Sequence, residues 1–129
     1  MKKIFRTDEA PAPIGPYSQA VSAGNFLFVS GQIALVPSTG ELVLSNVREE
    51  TIQVMKNLQA VLTAAGTDFE NIVKTSIFLS DMAHFQVVNE VYAGYFTKDF
   101  PARETVQVAG LPRSVNVEIS VIALLPDGN

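Results

Sequence analysis

The residue types best suited to chemistry are an arginine and a glutamate, Arg103 and Glu118, in two segments with strand-like alternation. Every odd position from Val115 to Leu125 is apolar, which is the period of a strand with one face in a core. Glu118 lies on the other face, where a polar patch meets an apolar one, and burial there would raise the pKa of its carboxyl group. Arg103 presents a planar fork of donors that suits a carboxylate. If the two segments pair, Arg103 and Glu118 face the same space.

Two structural interpretations of these residues stay open at this point. Glu118 fits a carboxylate at the rim of a sheet that points to water. The two side chains also fit a structural ion pair with no role in chemistry.

Composition excludes several other classes of function. The chain has 129 residues, taken as one domain over 1–129, and its 47% apolar and 17% charged content favours an apolar interface in a homo-oligomer. A net charge of −4 without a basic block argues against nucleic-acid binding. The lack of cysteine excludes disulfides and thiolate metal sites, and the single histidine, His84, disfavours a histidine metal site or a Ser-His-Asp triad. Without an apolar leader or a long apolar run, we expect a soluble cytoplasmic protein that does not associate with membranes.

The elements that must position Arg103 and Glu118 alternate between strands and helices. The first third of the chain predicts a short edge strand over 2–6, an irregular loop over 8–16, and then a hairpin. The first strand of the hairpin begins near Tyr17 or Ser18, and the second runs from Phe26 to Ile33. Gly31, inside the second hairpin strand, indicates a bulge or a close approach of the backbone to a ligand or another strand.

Two helices and a third long strand follow. Asn46 with Glu49 predicts a helix start and Gly66 its end, with an apolar stripe at Ile52, Met55, Leu58, Leu62 and Ala65. Residues 72–79 predict a strand, and Asp81 predicts the cap of a second helix with apolar residues Phe85, Val88, Tyr92, Tyr95 and Phe96. The pattern predicts an α+β or α/β layered fold, a single β-sheet with two helices packed on one face, and of the two we adopt α+β. The other face then needs a cover, which again favours oligomerisation.

Four motifs resemble the RidA/YjgF family of enamine/imine deaminases, also called the endoribonuclease L-PSP family. They are Ile14-Gly15-Pro16-Tyr17-Ser18-Gln19-Ala20, Val29-Ser30-Gly31-Gln32-Ile33, Val88-Asn89-Glu90-Val91-Tyr92, and Pro101-Ala102-Arg103 through Val106, Leu111-Pro112 and Val117-Glu118-Ile119. They occur in the family's order and spacing, and the resemblance covers nearly the whole chain.

The resemblance implies a chorismate-mutase-like fold in a homotrimer, with a central barrel of sheets, helices outside and sites between subunits. The substrates it implies are 2-aminoacrylate, 2-aminocrotonate and their imine tautomers, released by pyridoxal-phosphate enzymes, and the products are 2-oxo acids and ammonia. It implies no cofactor and no metal. The activity is that of a 2-iminobutanoate/2-iminopropanoate deaminase.

The same resemblance assigns roles to single residues. Arg103 matches the arginine that grips the substrate carboxylate, and Glu118 the glutamate that positions and activates the hydrolytic water. Thr105 occupies a position often held by cysteine, where backbone atoms contact the ligand. Glu104 and Ser120 depart from the family pattern, and we expect Glu104 to point to the face opposite Arg103.

Four further residues match the family's pocket: Tyr17, Ser30, Gly31 and Asn89. The alternatives are a core aromatic for Tyr17, a small strand residue for Ser30 and a helix-surface amide for Asn89. Two other functions compete with the deaminase. One is a non-catalytic regulatory protein that binds small carboxylates in the same pocket, and it needs the arginine but not the glutamate. The other is a nuclease or translation inhibitor, which the acidic charge disfavours.

Overall fold

The structure, a computed structural model, describes residues 1–126. This part of the chain forms one six-stranded sheet and two helices. The strands are β1 (Lys3–Phe5), β2 (Ala20–Ala23), β3 (Phe26–Gln32), β4 (Ile72–Leu79), β5 (Ala102–Gln107) and β6 (Val117–Leu124); the helices are α1 (Val47–Ala64) and α2 (Phe85–Ala93). The strand order is β1-β2-β3-β6-β4-β5, with β4 and β5 parallel and the other pairs antiparallel. The predicted α+β class is confirmed. Across these 126 residues, no helix has the length and apolar content needed to cross a bilayer.

Local signals set the ends of α1 as the sequence predicts. The Asn46 side chain accepts a hydrogen bond from the backbone N–H of Glu49 at 2.8 Å, and Gly66 follows the helix with a φ of +82°. The buried face of α1 comprises Val54, Met55, Leu58, Val61 and Leu62, whereas the predicted Ile52 is half-buried. Both helices share one core with the buried face of β4 and β6.

Two predicted boundaries move. β2 begins at Ala20 rather than at Tyr17 or Ser18 because these two residues belong to the preceding loop, where the Ser18 carbonyl accepts a hydrogen bond from the Ser30 hydroxyl. Asp81 caps a short 3-10 turn, Met82–His84, and α2 begins only at Phe85. Tyr95 and Phe96 lie beyond the end of α2 but still pack in its aromatic cluster around Phe69.

The two C-terminal strands do not pair, because β4 lies between them, so the condition under which Arg103 and Glu118 would face the same space is not met. Arg103 on β5 is in register with Thr75, and Glu118 on β6 with Phe78. Thr75 and Phe78 are three residues apart on one strand, so their side chains point to opposite faces. Helix α2 carries the chain across the sheet and places β5 parallel to β4 on its outer edge. Within one chain, Arg103 therefore lies on the helix-covered face and Glu118 on the open face.

The open face of the sheet exposes large apolar side chains. Phe26, Phe28, Val106 and Leu124 each retain 39–44% of their accessible surface within the described residues. The helices leave this face uncovered, so these apolar side chains remain accessible within the described residues.

Candidate functional site

Four of the predicted site residues line one cavity of about 370 Å³: Tyr17, Ser30, Gly31 and Glu118. Glu118 is half-buried there, and this burial raises the pKa of its carboxyl group. No ion pair within residues 1–126 involves that carboxylate. A carboxyl group with a raised pKa at a cavity wall is suited to exchange protons with a water molecule or a ligand.

The backbone beside Glu118 is bulged to make room for its carboxyl group. The register between β3 and β6 shifts between Val29 and Gln32, and Gly31 lies inside the shift. A Cβ atom at Gly31 would lie 2.8 Å from Cδ of Glu118, far inside van der Waals contact. The predicted bulge is confirmed, and what the glycine backbone approaches closely is the carboxylate of Glu118.

Gly31→Ala is therefore expected to displace the Glu118 side chain rather than to unfold the protein. The atoms in conflict belong to the flexible end of a side chain, which can rotate away at small cost to folding. We expect kcat for the reaction proposed below to fall at least about tenfold, while the melting temperature changes little.

The matched control for this variant is Gly110→Ala. Gly110 has open space where its Cβ would be placed, so this change should leave both kcat and stability intact. A fully active Gly31→Ala enzyme would contradict a catalytic placement of Glu118 against Gly31.

A buried glutamine fixes the loop at one wall of the cavity. The Gln19 side chain donates to the carbonyls of Thr7, Ala10 and Pro11 and accepts from the N–H of Thr7 at 2.7 Å. Pro11 and Gln19 both line the cavity. The family motif that contains Gln19 assigns this residue no role. Its burial and its hydrogen bonds to the loop with three prolines show that it supports that loop.

Tyr17 and Ser30 contribute to the cavity through loop contacts. Tyr17 is 46% exposed, so its interpretation as a core aromatic is wrong, and its hydroxyl accepts a hydrogen bond from the N–H of Ile14 at 3.1 Å. The Ser30 hydroxyl donates to the carbonyl of Ser18 at 2.6 Å. Both contacts bring the loop before β2 over the Glu118 cavity.

Arg103 lies in a separate cleft of about 300 Å³, on the other face of the sheet. Its walls are Asn89, Tyr92, Ala93, Phe100 and Pro101. The guanidinium carbon of Arg103 lies 5.2 Å from the centre of the Tyr92 ring and 5.8 Å from that of Phe85. Aromatic faces hold a guanidinium group by cation–π attraction without using its N–H donors.

The charge of Arg103 has no acidic partner within residues 1–126. The structural ion pair with Glu118 is therefore wrong for a single chain. An arginine held by rings, with no carboxylate attached, keeps its donors available for an anionic ligand.

The support of Arg103 was not identified from the sequence. Tyr92 is buried, which raises the pKa of its hydroxyl, and that hydroxyl donates to Thr75 Oγ1 at 2.8 Å. Phe85 and Tyr92 are seven residues apart, so they lie on one face of α2. The apolar spacing of α2 predicts only that this face packs in the core.

The remaining predicted residues fall near the Arg103 cleft. Asn89 is half-buried and lines the cleft, as a helix residue that faces a ligand would. Thr105 lies two residues after Arg103 on the same face of β5, and its buried hydroxyl has no hydrogen-bond partner within residues 1–126. Such a group is satisfied most simply by a ligand or a neighbouring chain.

Glu104 does not compete for Arg103. It lies on the open face, where it accepts a hydrogen bond from the Ser76 hydroxyl and pairs with Lys74 at 3.0 Å. The bond from Ser76, followed by that from Lys74, lowers the pKa of the Glu104 carboxyl. The predicted placement of Glu104 opposite Arg103 is confirmed.

Comparison with known proteins identifies the family. Residues 7–125 match the family model described as Endoribonuclease L-PSP, the RidA/YjgF family of the motifs above. The chain belongs to this family.

Three relatives are similar to this chain over nearly their whole length. A mouse protein named 2-iminobutanoate/2-iminopropanoate deaminase is 51% identical over 124 residues, which are 96% of this chain and 92% of that protein. YyfA from Yersinia pestis, of the conserved Rid protein family, superposes with a TM-score of 0.94 at 47% identity, covering 97% of this chain and 100% of YyfA. Escherichia coli TdcF, solved with bound serine, gives a TM-score of 0.90 at 40% identity, covering 95% and 98%.

Proposed function

We propose that this protein is a cytoplasmic 2-iminobutanoate/2-iminopropanoate deaminase that hydrolyses reactive enamines and imines, including 2-aminoacrylate and 2-aminocrotonate, to 2-oxo acids and ammonia. The observation that carries the proposal is the pair of complementary half-sites. One offers an arginine with free donors, and the other offers a half-buried carboxyl group with a raised pKa. The mouse relative named for this activity supports it.

The two half-sites lie on opposite faces of the sheet, so a complete site requires two chains. We infer that Arg103 of one subunit meets Glu118 of a neighbour in a homotrimer whose open sheet faces form a central barrel. The exposed Phe26, Phe28 and Leu124 on that face support such an assembly. Sedimentation at several protein concentrations tests the trimer, and a stable, fully active monomer would contradict it.

In the proposed reaction, Arg103 holds the carboxylate of a 2-imino acid through two hydrogen bonds and orients its C=N carbon. The pocket is completed by the other predicted site residues, Tyr17, Ser30, Gly31, Asn89 and Thr105. The Glu118 carboxylate takes a proton from water as the new C–O bond forms and the electrons of the C=N bond move to nitrogen, and Glu118 then passes that proton to the nitrogen. The carbinolamine then collapses. Glu118 takes the proton of the carbinolamine hydroxyl as the C=O bond forms and passes it to the amine nitrogen as the C–N bond breaks, so ammonia leaves and the 2-oxo acid remains bound to Arg103.

The test is a coupled assay in which threonine dehydratase generates 2-aminocrotonate. We expect this protein to accelerate the appearance of 2-oxobutanoate above the spontaneous rate, and to act likewise on 2-aminoacrylate generated from serine. A folded oligomer that accelerates neither would contradict the deaminase. Binding of 2-oxobutanoate without acceleration would then favour a regulatory protein that binds small carboxylates.

A further inference from the structure

A fully buried carboxyl group holds the backbone just before Glu118. Glu50 on α1 is 0% exposed, and its Oε2 accepts hydrogen bonds from the backbone N–H of Asn116 at 2.8 Å and of Val117 at 3.1 Å. Its Oε1 accepts a bond from the side-chain amide of Asn116 at 2.9 Å. No lysine or arginine within residues 1–126 pairs with Glu50. Three amide donors thus replace the cation that usually accompanies a buried carboxylate.

The end of β3 next to this part of the chain explains why these amides need a partner. The last pair between β3 and β6 is Gln32 with Ile119, so the start of β6 extends beyond the end of its neighbour. Backbone N–H groups buried without an acceptor are costly. Glu50 supplies from a helix the acceptors that β3 does not supply.

We propose that Glu50 is a positioning residue for Glu118: it fixes the residue before β6 and the first residue of β6 so that the carboxyl group of Glu118 faces the cavity. This proposal rests on the proposed function. The hydrogen bonds end one residue before Glu118, and β4 pairs with the opposite edge of β6 at Val117 and Glu118. The β4 ladder and the Glu50 carboxyl together hold the Glu118 backbone from two sides.

The test is a double-mutant cycle at Glu50 and Asn116. In Glu50→Gln the new NH₂ group faces the Asn116 amide, and in Asn116→Asp two carboxyl groups face each other. In the double variant the aspartate accepts from the glutamine, and its other oxygen still accepts from Ser80, which bonds to Asn116 at 3.0 Å. We expect kcat to fall about tenfold in each single variant with KM within about twofold, and to recover in the double variant.

The matched control loosens the far end of the same strand. Thr67 donates to the Leu124 carbonyl at 2.7 Å, and Thr67→Val removes that bond. It should lower the melting temperature without changing kcat. Amide hydrogen exchange at residues 116–118 should accelerate in Glu50→Gln and not in Thr67→Val.

Unchanged kcat in a destabilised Glu50→Gln enzyme would assign Glu50 a purely structural role and overturn the proposal. Equal acceleration of exchange at both ends of β6 would overturn it as well. If the wild-type protein shows no deaminase activity, the proposed function fails, and the exchange comparison alone decides whether Glu50 holds this end of β6.

Discussion

Glu118→Gln is expected to lower kcat by about 10²–10⁴-fold, the range in which a positioned general acid–base contributes. The amide keeps the size of the side chain and its place beside Gly31, but it cannot take a proton from water. Because Arg103 belongs to the other half-site, the binding of 2-oxobutanoate should remain nearly unchanged. The measurement is the coupled assay together with calorimetric binding of the product. An active Glu118→Gln enzyme would remove Glu118 from the mechanism.

The same variant gives a second signature in the pH dependence of stability. Burial raises the pKa of Glu118, so the folded state disfavours its ionised form. Below the pKa of Glu118 in the unfolded chain, its carboxyl group is protonated in the folded and the unfolded state, so its ionisation contributes nothing to the free energy of unfolding. As the pH rises through the raised folded pKa, the wild type loses stability, whereas a glutamine stays neutral. We therefore expect the stability of Glu118→Gln relative to the wild type to increase between the unfolded and the folded pKa of Glu118, and to level off above the folded pKa. Urea unfolding from pH 4 to pH 8 checks it, and a pH-independent difference would contradict the burial.

Arg103→Lys is the second large effect, although it retains the charge. A lysine offers a point charge where the proposed substrate needs a planar fork, and it stacks less well between the rings of Phe85 and Tyr92. Loss of one hydrogen bond to a carboxylate is worth about 1.5–3 kcal/mol. We expect kcat/KM to fall roughly tenfold to a hundredfold, mostly through KM, in the coupled assay.

The control for Arg103→Lys is the same change at an exposed arginine outside both half-sites. Arg113→Lys should leave kcat/KM unaltered. An Arg103→Lys enzyme with wild-type KM would mean that the guanidinium fork does not hold the substrate.

The sequence predicted the elements better than their neighbours in the sheet. The cap at Asn46, the glycine after α1 and the strand over 72–79 were correct because local backbone chemistry determines them. The insertion of β4 between β5 and β6 could not be predicted in that way, since strand order depends on where α2 carries the chain. The crossover through α2 and the parallel β5 keep the segments of Arg103 and Glu118 from pairing directly.

The site was predictable in its residue types but not in its division between two faces. Arg103 and Glu118 were identified by their unusual place in strand patterns and by the resemblance. Glu50 was overlooked because a glutamate next to another in a first helical turn is typical of an exposed helix start. Its spacing of four and eight residues from Val54 and Leu58 puts it on the buried face of α1, and that spacing was the available signal.

The placement of Arg103 and Glu118 on opposite faces of the sheet has a genetic consequence. If every site takes its arginine and its glutamate from different chains, two inactivating alleles need not be equally inactive together. A cell that makes both Arg103→Ala and Glu118→Gln chains would assemble mixed oligomers. In these, one chain donates an intact arginine and the other an intact glutamate. Such alleles would complement each other, whereas two alleles that damage the same half-site would not.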